Sequence, residues 1–191
     1  VVVCNGPGAM ASWTFSCNAL FCGLVLFAAV LVLSVQATDY RPFLPCNSTR
    51  YRNFPAKLFL KGCEDKERCP LYRGDSVIME IKFEAPTDTT GVYRSMFGVF
   101  GGRSRSGRAT RVRYGRETNV CNATTSTAGE SCLDGPGLKQ GVEYLQTGTF
   151  KVMQYFPKLS VDVEIEIYGK ERRVVKPLAC VRVPVQIMDR A

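Results

Sequence analysis

The sequence predicts an all-β fold of the sandwich type, and three observations support this prediction. Val77–Phe83, Val161–Ile167 and Val181–Ile187 alternate apolar side chains with mostly polar ones. This period of two is typical of antiparallel strands that are buried on one face only. Turn-forming residues separate the candidate strands about every 8–12 residues, and no stretch shows helical periodicity. Short strands joined by turns favour two packed sheets.

Residues 1–37 differ in composition from the rest of the chain. No charged residue precedes Asp39, and Ala19–Val35 is an almost unbroken apolar run. The run ends in Val35-Gln36-Ala37, a small-residue site of the kind that signal peptidase cuts. We therefore expect residues 1–37 to comprise upstream residues and a cleaved signal peptide.

The beginning of this segment leaves an alternative open. Met10 is the first methionine, so residues 1–9 are interpreted as translated upstream sequence. No Lys or Arg lies between Met10 and the apolar run, and the run approaches the length of a membrane span. A signal anchor is therefore the alternative to a cleaved signal peptide.

Residues 38–191 are long enough for a single domain with a sizeable core. All 25 Lys and Arg and all 17 Asp and Glu of the chain lie here, so the domain carries the full formal charge of +8. Such a charge suits nucleic acid, anionic lipid or an acidic partner. A secretory signal argues against nucleic acid, and we expect a secreted or lysosomal monomer.

Six of the nine cysteines lie outside the signal segment. They are Cys46, Cys63, Cys69, Cys121, Cys132 and Cys180. An even number in a secreted domain predicts three disulfides, for which 15 connectivities exist. Proximity favours Cys63–Cys69 and Cys121–Cys132, which leaves Cys46–Cys180. A metal site is the alternative, but the chain has no histidine and the cysteine spacing suits zinc poorly.

Two sites match the acceptor pattern for N-glycosylation. Asn47 begins Asn-Ser-Thr and Asn122 begins Asn-Ala-Thr. In a secreted protein both asparagines are predicted to carry glycans, which requires them to be exposed.

The first half of the domain contains three candidate strands. In chain order they are Ala56–Leu60, Val77–Phe83 and Tyr93–Phe100. Between the first two, Cys63–Cys69 encloses a charged loop and Cys69–Asp75 is interpreted as a turn. Pro86–Gly91 is rich in Thr and predicts the next turn.

A basic segment, Gly101–Cys121, interrupts the strand pattern. Its six arginines are Arg103, Arg105, Arg108, Arg111, Arg113 and Arg116. Blocks of like charge are usually solvated and mobile. Thr110–Tyr114 alternates, however, and could form one arm of a β-ribbon.

The second half of the domain begins with a polar loop, Cys121–Gly141. Strands are predicted at Val142–Leu145, Thr149–Met153, Val161–Tyr168, Arg172–Val175 and Val181–Ile187. Gly169-Lys170 is the expected hairpin tip between the third and fourth of these. Pro184 should keep the last strand near a sheet edge or a bulge.

The sequence offers no catalytic constellation. Without histidine, a Ser-His-Asp or Cys-His arrangement is excluded. Asp162, Glu164 and Glu166 lie on the polar face of one strand, where we expect them to be solvated rather than to act as a glycosidase pair. Gly101-Gly102 lacks the helix that a phosphate-binding loop requires. We expect a binding protein with no enzyme activity, cofactor or metal ion.

Several motifs occur in the order seen in one protein family. They are Cys63…Cys69-Pro-x-x-x-Gly74, Cys121…Cys132, Val152…Phe156-Pro157 and Cys180-x-x-x-Pro184-Val185-Gln186-Ile187. With these motifs, Cys46–Ile187 resembles the ML lipid-recognition family. The resemblance is greatest to the Niemann–Pick type C2 branch, which also includes the group 2 mite allergens.

The resemblance implies an immunoglobulin-like sandwich, the same three disulfides and a lipid pocket between the sheets. Val152 and Phe156 match positions where the family has a pocket-lining Val and Tyr, so Phe156 lacks a hydroxyl there. Tyr114 matches an aromatic residue before the fourth cysteine. The other positions implied to face the pocket are Val77, Met79, Val99, Phe150, Val161, Val163, Ile165, Val181, Val183 and Val185. In any sandwich the same residues could simply be core.

The expected function is therefore non-covalent carriage of a sterol, fatty acid or similar lipid. We further expect Arg103–Arg116 to attract an anionic head group or membrane at the pocket mouth. The alternatives are a co-receptor that presents microbial lipid to a membrane receptor, and a lipid-free binding module with a solid core. Because imidazole is absent, any response near pH 5 requires carboxylates of raised pKa or the receiving membrane.

Overall fold

The computed structural model describes residues 41–42, 46, 49–51, 54–64, 66–101 and 109–190. The chain divides into two units, Val1–Ala37 and Thr38–Ala191, and all described residues belong to the second. The expected signal peptide, the start at Met10 and the glycan at Asn47 lie outside the described residues. Within the described ranges, no helix is long and apolar enough to cross a membrane.

The described residues form β-strands and two short 3-10 helices. The strands are β1 (Arg41–Pro42), β2 (Ala56–Leu60), β3 (Cys69–Tyr72), β4 (Ser76–Glu84), β5 (Val92–Phe100), β6 (Thr110–Asn119), β7 (Thr124–Ser126), β8 (Glu143–Lys151), β9 (Ser160–Glu171) and β10 (Val174–Met188). The 3-10 helices are Thr49–Tyr51 and Cys121–Ala123. The prediction of an all-β fold is confirmed.

The strands form two five-stranded sheets. The first has the order β1-β2-β4-β8-β7 and the second has the order β3-β10-β9-β5-β6. The pairing is antiparallel throughout except between β3 and β10, which run parallel. The two-sheet sandwich inferred from periodicity is confirmed.

The alternating patterns determine which side chains face the core. In the second sheet, Val161, Val163 and Ile165 on β9 pair with Val185, Val183 and Val181 on β10, so all six share the inner face. In the first sheet, Met79, Ile81 and Phe83 on β4 are buried. The apolar inner faces of the two sheets pack together to form the core.

Two segments interpreted as non-strand contain short strands. The predicted turn at Cys69–Asp75 begins only after Tyr72, because Cys69–Tyr72 pairs in parallel with the end of β10. The predicted loop at Cys121–Gly141 contains β7, which pairs with Tyr144–Gln146 of β8. Both are edge strands of three or four residues, too short to show a period of two.

The predicted hairpin tip at Gly169-Lys170 is wrong, because the turn lies three residues farther along the chain. Gly169 pairs with Lys176 inside the ladder, and the turn is formed by Arg172-Arg173. Arg172 takes a left-handed φ of 53° there. A Cβ on Gly169 would overlap the Thr89 side chain, so this glycine permits close packing rather than a turn.

Two further strand predictions are sharpened by the register. Val142–Leu145 and Thr149–Met153 are not separate strands, because β8 runs unbroken from Glu143 to Lys151 along β4. Pro184 lies one residue before β3 begins to pair, at Val185, so its missing N–H costs no bond on that side. The edge-like position expected for Pro184 is confirmed.

Three disulfides link the described cysteines: Cys46–Cys180, Cys63–Cys69 and Cys121–Cys132. This is the pairing that sequence proximity favours. The first closes a sequence separation of 134 residues and ties the segment before β2 to β10. In the chain-entropy model a loop of this size stabilises the fold by roughly 4–5 kcal/mol.

The outer face of β9 is not solvated as the sequence predicted. Glu164 is 1 % exposed, and its carboxylate lies 2.6 Å from Arg111 Nη2. Arg182 binds Asp162 through two donors, at 2.7 and 3.1 Å. Cys180 pairs with Glu166 on this face, so the disulfide holds Cys46 on the same face. Burial of carboxylates is tolerated here because each has a cationic partner.

Candidate functional site

A cavity of about 220 Å³ lies between the sheets at one end of the sandwich. Its wall is almost wholly apolar. From the second sheet and its connections come Leu71, Met96, Phe97, Gly98, Phe100, Val112, Arg113, Tyr114, Val161, Val163 and Ile187; from β8 and the loop after it come Phe150, Val152, Phe156, Pro157 and Leu159.

The hollow arises from what is missing on the two inner faces. Gly98 on β5 pairs with Val163 on β9. At this point of the inner face, one strand therefore has no side chain and its neighbour has only a small one. Opposite them, β8 ends at Lys151 and a loop replaces the strand as far as Ser160. Phe150, Phe156 and Val163 accordingly remain only partly buried, although they belong to the core side.

Six of the residues implied to bind lipid lie in this wall: Tyr114, Phe150, Val152, Phe156, Val161 and Val163. Six others do not: Val77, Met79, Val99, Ile165, Val181 and Val183. Of these, all except Val99 pack in the solid core, where Met79 is 0 % and Ile165 1 % exposed. Val185, which the resemblance also placed inward, is in the same core.

The inward placement of Val99 is wrong. Val99 pairs with Asp162 of β9, which belongs to the outer face of the second sheet. The inner face of β5 is instead formed by Arg94, Met96 and Gly98, opposite Ile167, Ile165 and Val163. Because β5 is apolar on both faces, its pattern in the sequence could not show which face is inner.

The sequence reasoning missed ten of the sixteen residues of the wall. Val112 on β6 pairs with Gly98 on β5, and Phe100 pairs with Thr110 two residues farther along β5. Leu159 follows the loop after β8, and Leu71 and Ile187 pair where β3 meets β10. The glycine at position 98, inside an otherwise bulky strand, is the one signal that could have marked a gap.

Aromatic rings close one side of the cavity. Tyr114 and Phe156 meet edge to face with centroids 5.5 Å apart, and Tyr155 meets Phe156 at 5.3 Å. The Tyr114 hydroxyl donates a hydrogen bond of 2.9 Å to the Lys151 carbonyl. Burial raises the pKa of Tyr114, so it remains a neutral donor. This bond anchors β6 to the end of β8.

The mouth of the cavity carries exposed apolar side chains. Phe100 is 38 % exposed and Val112 is 53 % exposed. Phe100 is the last residue of β5 and Val112 lies on β6, and Arg113, beside Val112, also contributes to the wall. An apolar ligand could therefore reach the interior without crossing a polar barrier.

Arg111 is held away from the mouth. Its Nη2 donates a hydrogen bond of 2.6 Å to Glu166. The same atom forms an ion pair with Glu164, also at 2.6 Å, but the angle of this contact does not suit a hydrogen bond. The guanidinium lies 3.4 Å from the ring centroid of Phe97. Arg111 therefore stabilises the outer face of β9. Arg103, Arg105 and Arg108 lie outside the described residues.

Other described residues offer little chemistry. Cys46, Glu164 and Cys180 lie close enough to hold a metal ion, but both cysteines are in a disulfide and supply no thiolate. Glu117 accepts hydrogen bonds from Lys170 and Tyr168, both of 2.6 Å, and these lower its pKa. Asn122 is exposed, as a glycan there would require. That it carries one stays a prediction.

Comparisons with known proteins identify the class of protein. The family model of the ML domain matches residues 42–187. The chain therefore belongs to the ML domain family, a family of lipid-binding proteins rather than enzymes. The resemblance drawn from the cysteine and proline motifs is confirmed.

Among solved structures, the chain is similar to a Niemann-Pick type C2 protein from the Japanese carpenter ant, with 22 % identity and a TM-score of 0.57. The match covers 76 % of this chain and 98 % of the ant protein, and it shows a common sandwich fold. Lower similarity is found to the C-terminal domain of wzt, with 12 % identity over 81 % of this chain and 84 % of that one and a TM-score of 0.44. The sporulation control protein Spo0M of Bacillus subtilis gives 10 % identity over 71 % and 49 % of the two chains and a TM-score of 0.41. No curated protein sequence matches the chain significantly.

Proposed function

We propose that this chain is a secreted or lumenal carrier that holds a sterol, fatty acid or similar lipid non-covalently in the apolar cavity. The observation that supports this most is the cavity itself, whose wall presents almost only apolar side chains and opens past Phe100 and Val112. In a soluble sandwich such a space costs packing energy unless a ligand fills it.

The size of the cavity bears on the ligand. At about 220 Å³ it is smaller than most small-molecule pockets, which measure roughly 300–1,000 Å³. A slim acyl chain is therefore favoured, and a sterol requires the wall at residues 152–159 to move outward. Burying on the order of 400 Å² of apolar lipid contributes roughly 10 kcal/mol before the costs of association.

The test combines identification of bound lipid with displacement. Native mass spectrometry of gently purified protein should detect a lipid, and fatty acids and sterols should displace a fluorescent lipid from delipidated protein. We expect fatty acid to bind more tightly than sterol. Protein that copurifies with no lipid and takes up none would contradict the proposal.

The basic segment extends the proposal to the membrane. Arg113 in the wall, with Arg103, Arg105 and Arg108 a few residues before it in the sequence, would attract an anionic membrane or head group to the mouth. Long-range attraction of this kind weakens as salt rises. We expect faster lipid transfer to anionic vesicles at low ionic strength and no such difference with neutral vesicles.

Microbial lipid recognition is the second candidate, because phosphate-bearing bacterial lipids would suit the same basic mouth. Capture of lipopolysaccharide or lipoteichoic acid in preference to fatty acid and sterol would favour it. Replacing Arg113 by Gln should weaken that capture, whereas Arg173→Gln at the opposite hairpin is a charge-matched control.

A further inference from the structure

A second cavity adjoins the apolar one and has the opposite character. It measures about 240 Å³ and shares Met96, Tyr114 and Phe150 with the first cavity as a common wall. Its remaining lining is polar or basic, and comprises Arg94, Gly115, Arg116, Thr118, Thr149 and Lys151. Among the described residues, no carboxylate lines this space.

Arg94 is the unusual member of this lining. It lies on β5 opposite Ile167, so its side chain enters the space between the sheets. The guanidinium reaches the first sheet, where a Cβ on Gly148 would overlap Nη1. Gly148 on β8 therefore leaves the room that the arginine occupies.

No partner neutralises this arginine within the described part of the chain. Arg94 Nη1 is buried and has no hydrogen-bond partner there. By contrast, Arg182 is paired with Asp162, and Arg111 with Glu164 and Glu166. Burial lowers the pKa of Arg94, with no carboxylate opposing the change, yet an arginine remains charged at neutral pH. A buried cation normally has an anion beside it.

We propose that the polar cavity receives the anionic head group of the carried lipid, a carboxylate or a phosphate, and that Arg94 contacts it while the acyl chain occupies the apolar cavity. Arg116 and Lys151, both exposed, lie at the rim between β6 and β8 and add positive charge. The guanidinium fork suits both anions, because each can accept two parallel hydrogen bonds. This inference rests on the proposed function.

A structural role for Arg94 is the alternative. Gln146 is fully buried on the same face of β8 as Gly148, and its Oε1 also lacks a hydrogen-bond partner among the described residues. If Arg94 served only to fill this space beside Gln146, its removal would affect charged and uncharged ligands alike.

The experiment compares ligands that differ only in the head group. The probes are palmitate, hexadecyl phosphate and 1-hexadecanol, measured by displacement from delipidated full-length protein. Arg94→Met should weaken palmitate and hexadecyl phosphate about tenfold to a hundredfold, as expected for a charge-assisted hydrogen bond, and leave hexadecanol within about twofold. Arg173→Gln, which removes an exposed charge at the β9–β10 hairpin, should change none of them.

Each outcome decides between the alternatives. Equal losses for all three probes, or unchanged palmitate affinity, would overturn the head-group assignment while leaving lipid carriage intact. Failure of the wild-type protein to bind any probe would contradict the proposed function itself. Preference for palmitate assigns a carboxylate site and preference for hexadecyl phosphate a phosphate site. Inorganic phosphate should compete with palmitate but not with hexadecanol, which has no anionic head group. Equal competition with both probes would overturn the assignment.

A second measurement needs no variant. The pKa of palmitate labelled with ¹³C at the carboxyl carbon can be followed by NMR in the bound state. Beside a guanidinium it should titrate below about 4.3, the ordinary value of a carboxyl side chain, whereas an apolar site would raise it above that value. A raised pKa would overturn the assignment even if Arg94→Met does not fold.

Discussion

Two regions of the sandwich interior, the apolar cavity and the solid core, are built from the same residue types but packed differently. Val163 and Val183 face each other across β9 and β10 on one inner face. Val163 lines the apolar cavity and is partly buried, whereas Val183 is 2 % exposed within solid core. The two valines are register partners, and the difference arises beside Val163, where β5 supplies only Gly98 and the loop after Lys151 replaces a strand of the opposing sheet. The hollow is thus produced by one glycine, Gly98, together with the topology of the opposing sheet.

The largest expected effect lies in the solid core. Met79→Ala removes a side chain that is 0 % exposed and should lower the free energy of unfolding by about 2–5 kcal/mol. Lipid affinity should change little, because Met79 does not line the cavity. Chemical denaturation and displacement on the same sample measure both. Loss of lipid affinity without loss of stability would abolish the distinction between the two regions.

A substitution of Arg111 tests the outer face of β9, the strand whose inner face contributes Val161 and Val163 to the cavity. Arg111→Gln leaves the buried Glu164 without its cation and should cost roughly 1–3 kcal/mol, less than for a fully buried pair because Arg111 is 36 % exposed. Arg113→Gln is the control on the same strand, and its unfolding free energy should stay within about 0.5 kcal/mol of wild type. Equal stability of the two variants would show that the pairing with Glu164 contributes nothing.

The same substitution at the paired valines gives the sharpest comparison. Val183→Phe should overpack the solid core and destabilise by about 1–3 kcal/mol, with lipid binding retained. Val163→Phe adds its ring where space exists, so stability should change by less than about 1 kcal/mol while lipid affinity falls at least tenfold. Thermal unfolding and lipid displacement measure the two quantities. Identical behaviour of both variants would mean that the cavity closes in solution.

The smallest expected effect concerns pH. The shifted carboxyl pKa values, at Glu117, Glu171 and Asp189, are all lowered, chiefly by hydrogen bonds from Lys170, Lys176 and Lys158 respectively. A lowered pKa stabilises the fold above the ordinary value near 4 and loses that contribution as pH falls below it. Since no histidine is present, stability should stay nearly constant from pH 7 to 5 and decline below about 4.

This expectation can be checked by chemical denaturation at pH 7, 5 and 3.5. A marked loss of stability between pH 7 and 5 would require a carboxylate of raised pKa that the described residues do not show. If lipid is released at pH 5 while the fold remains stable, the release is attributed to the receiving membrane.

Sequence reasoning predicted the fold better than the site. Strict alternation in β4, β9 and β10 assigned inner and outer faces correctly, because one side chain in two must be buried. It failed for β5, where both faces are apolar and Val99 was placed inward. It also missed the burial of Glu164, since a pairing with Arg111, 53 residues away, leaves no local pattern.

The sequence by itself determined the β-sandwich, the cysteine pairing favoured by proximity and the absence of histidine chemistry. These follow from periodicity, spacing and composition, which are properties of neighbouring residues. Only the tertiary structure decided which apolar side chains line a space and which fill one, because that depends on the sheet opposite. It also brought Arg94 to Gly148 across the two sheets, a contact between residues distant in sequence that no local pattern could indicate.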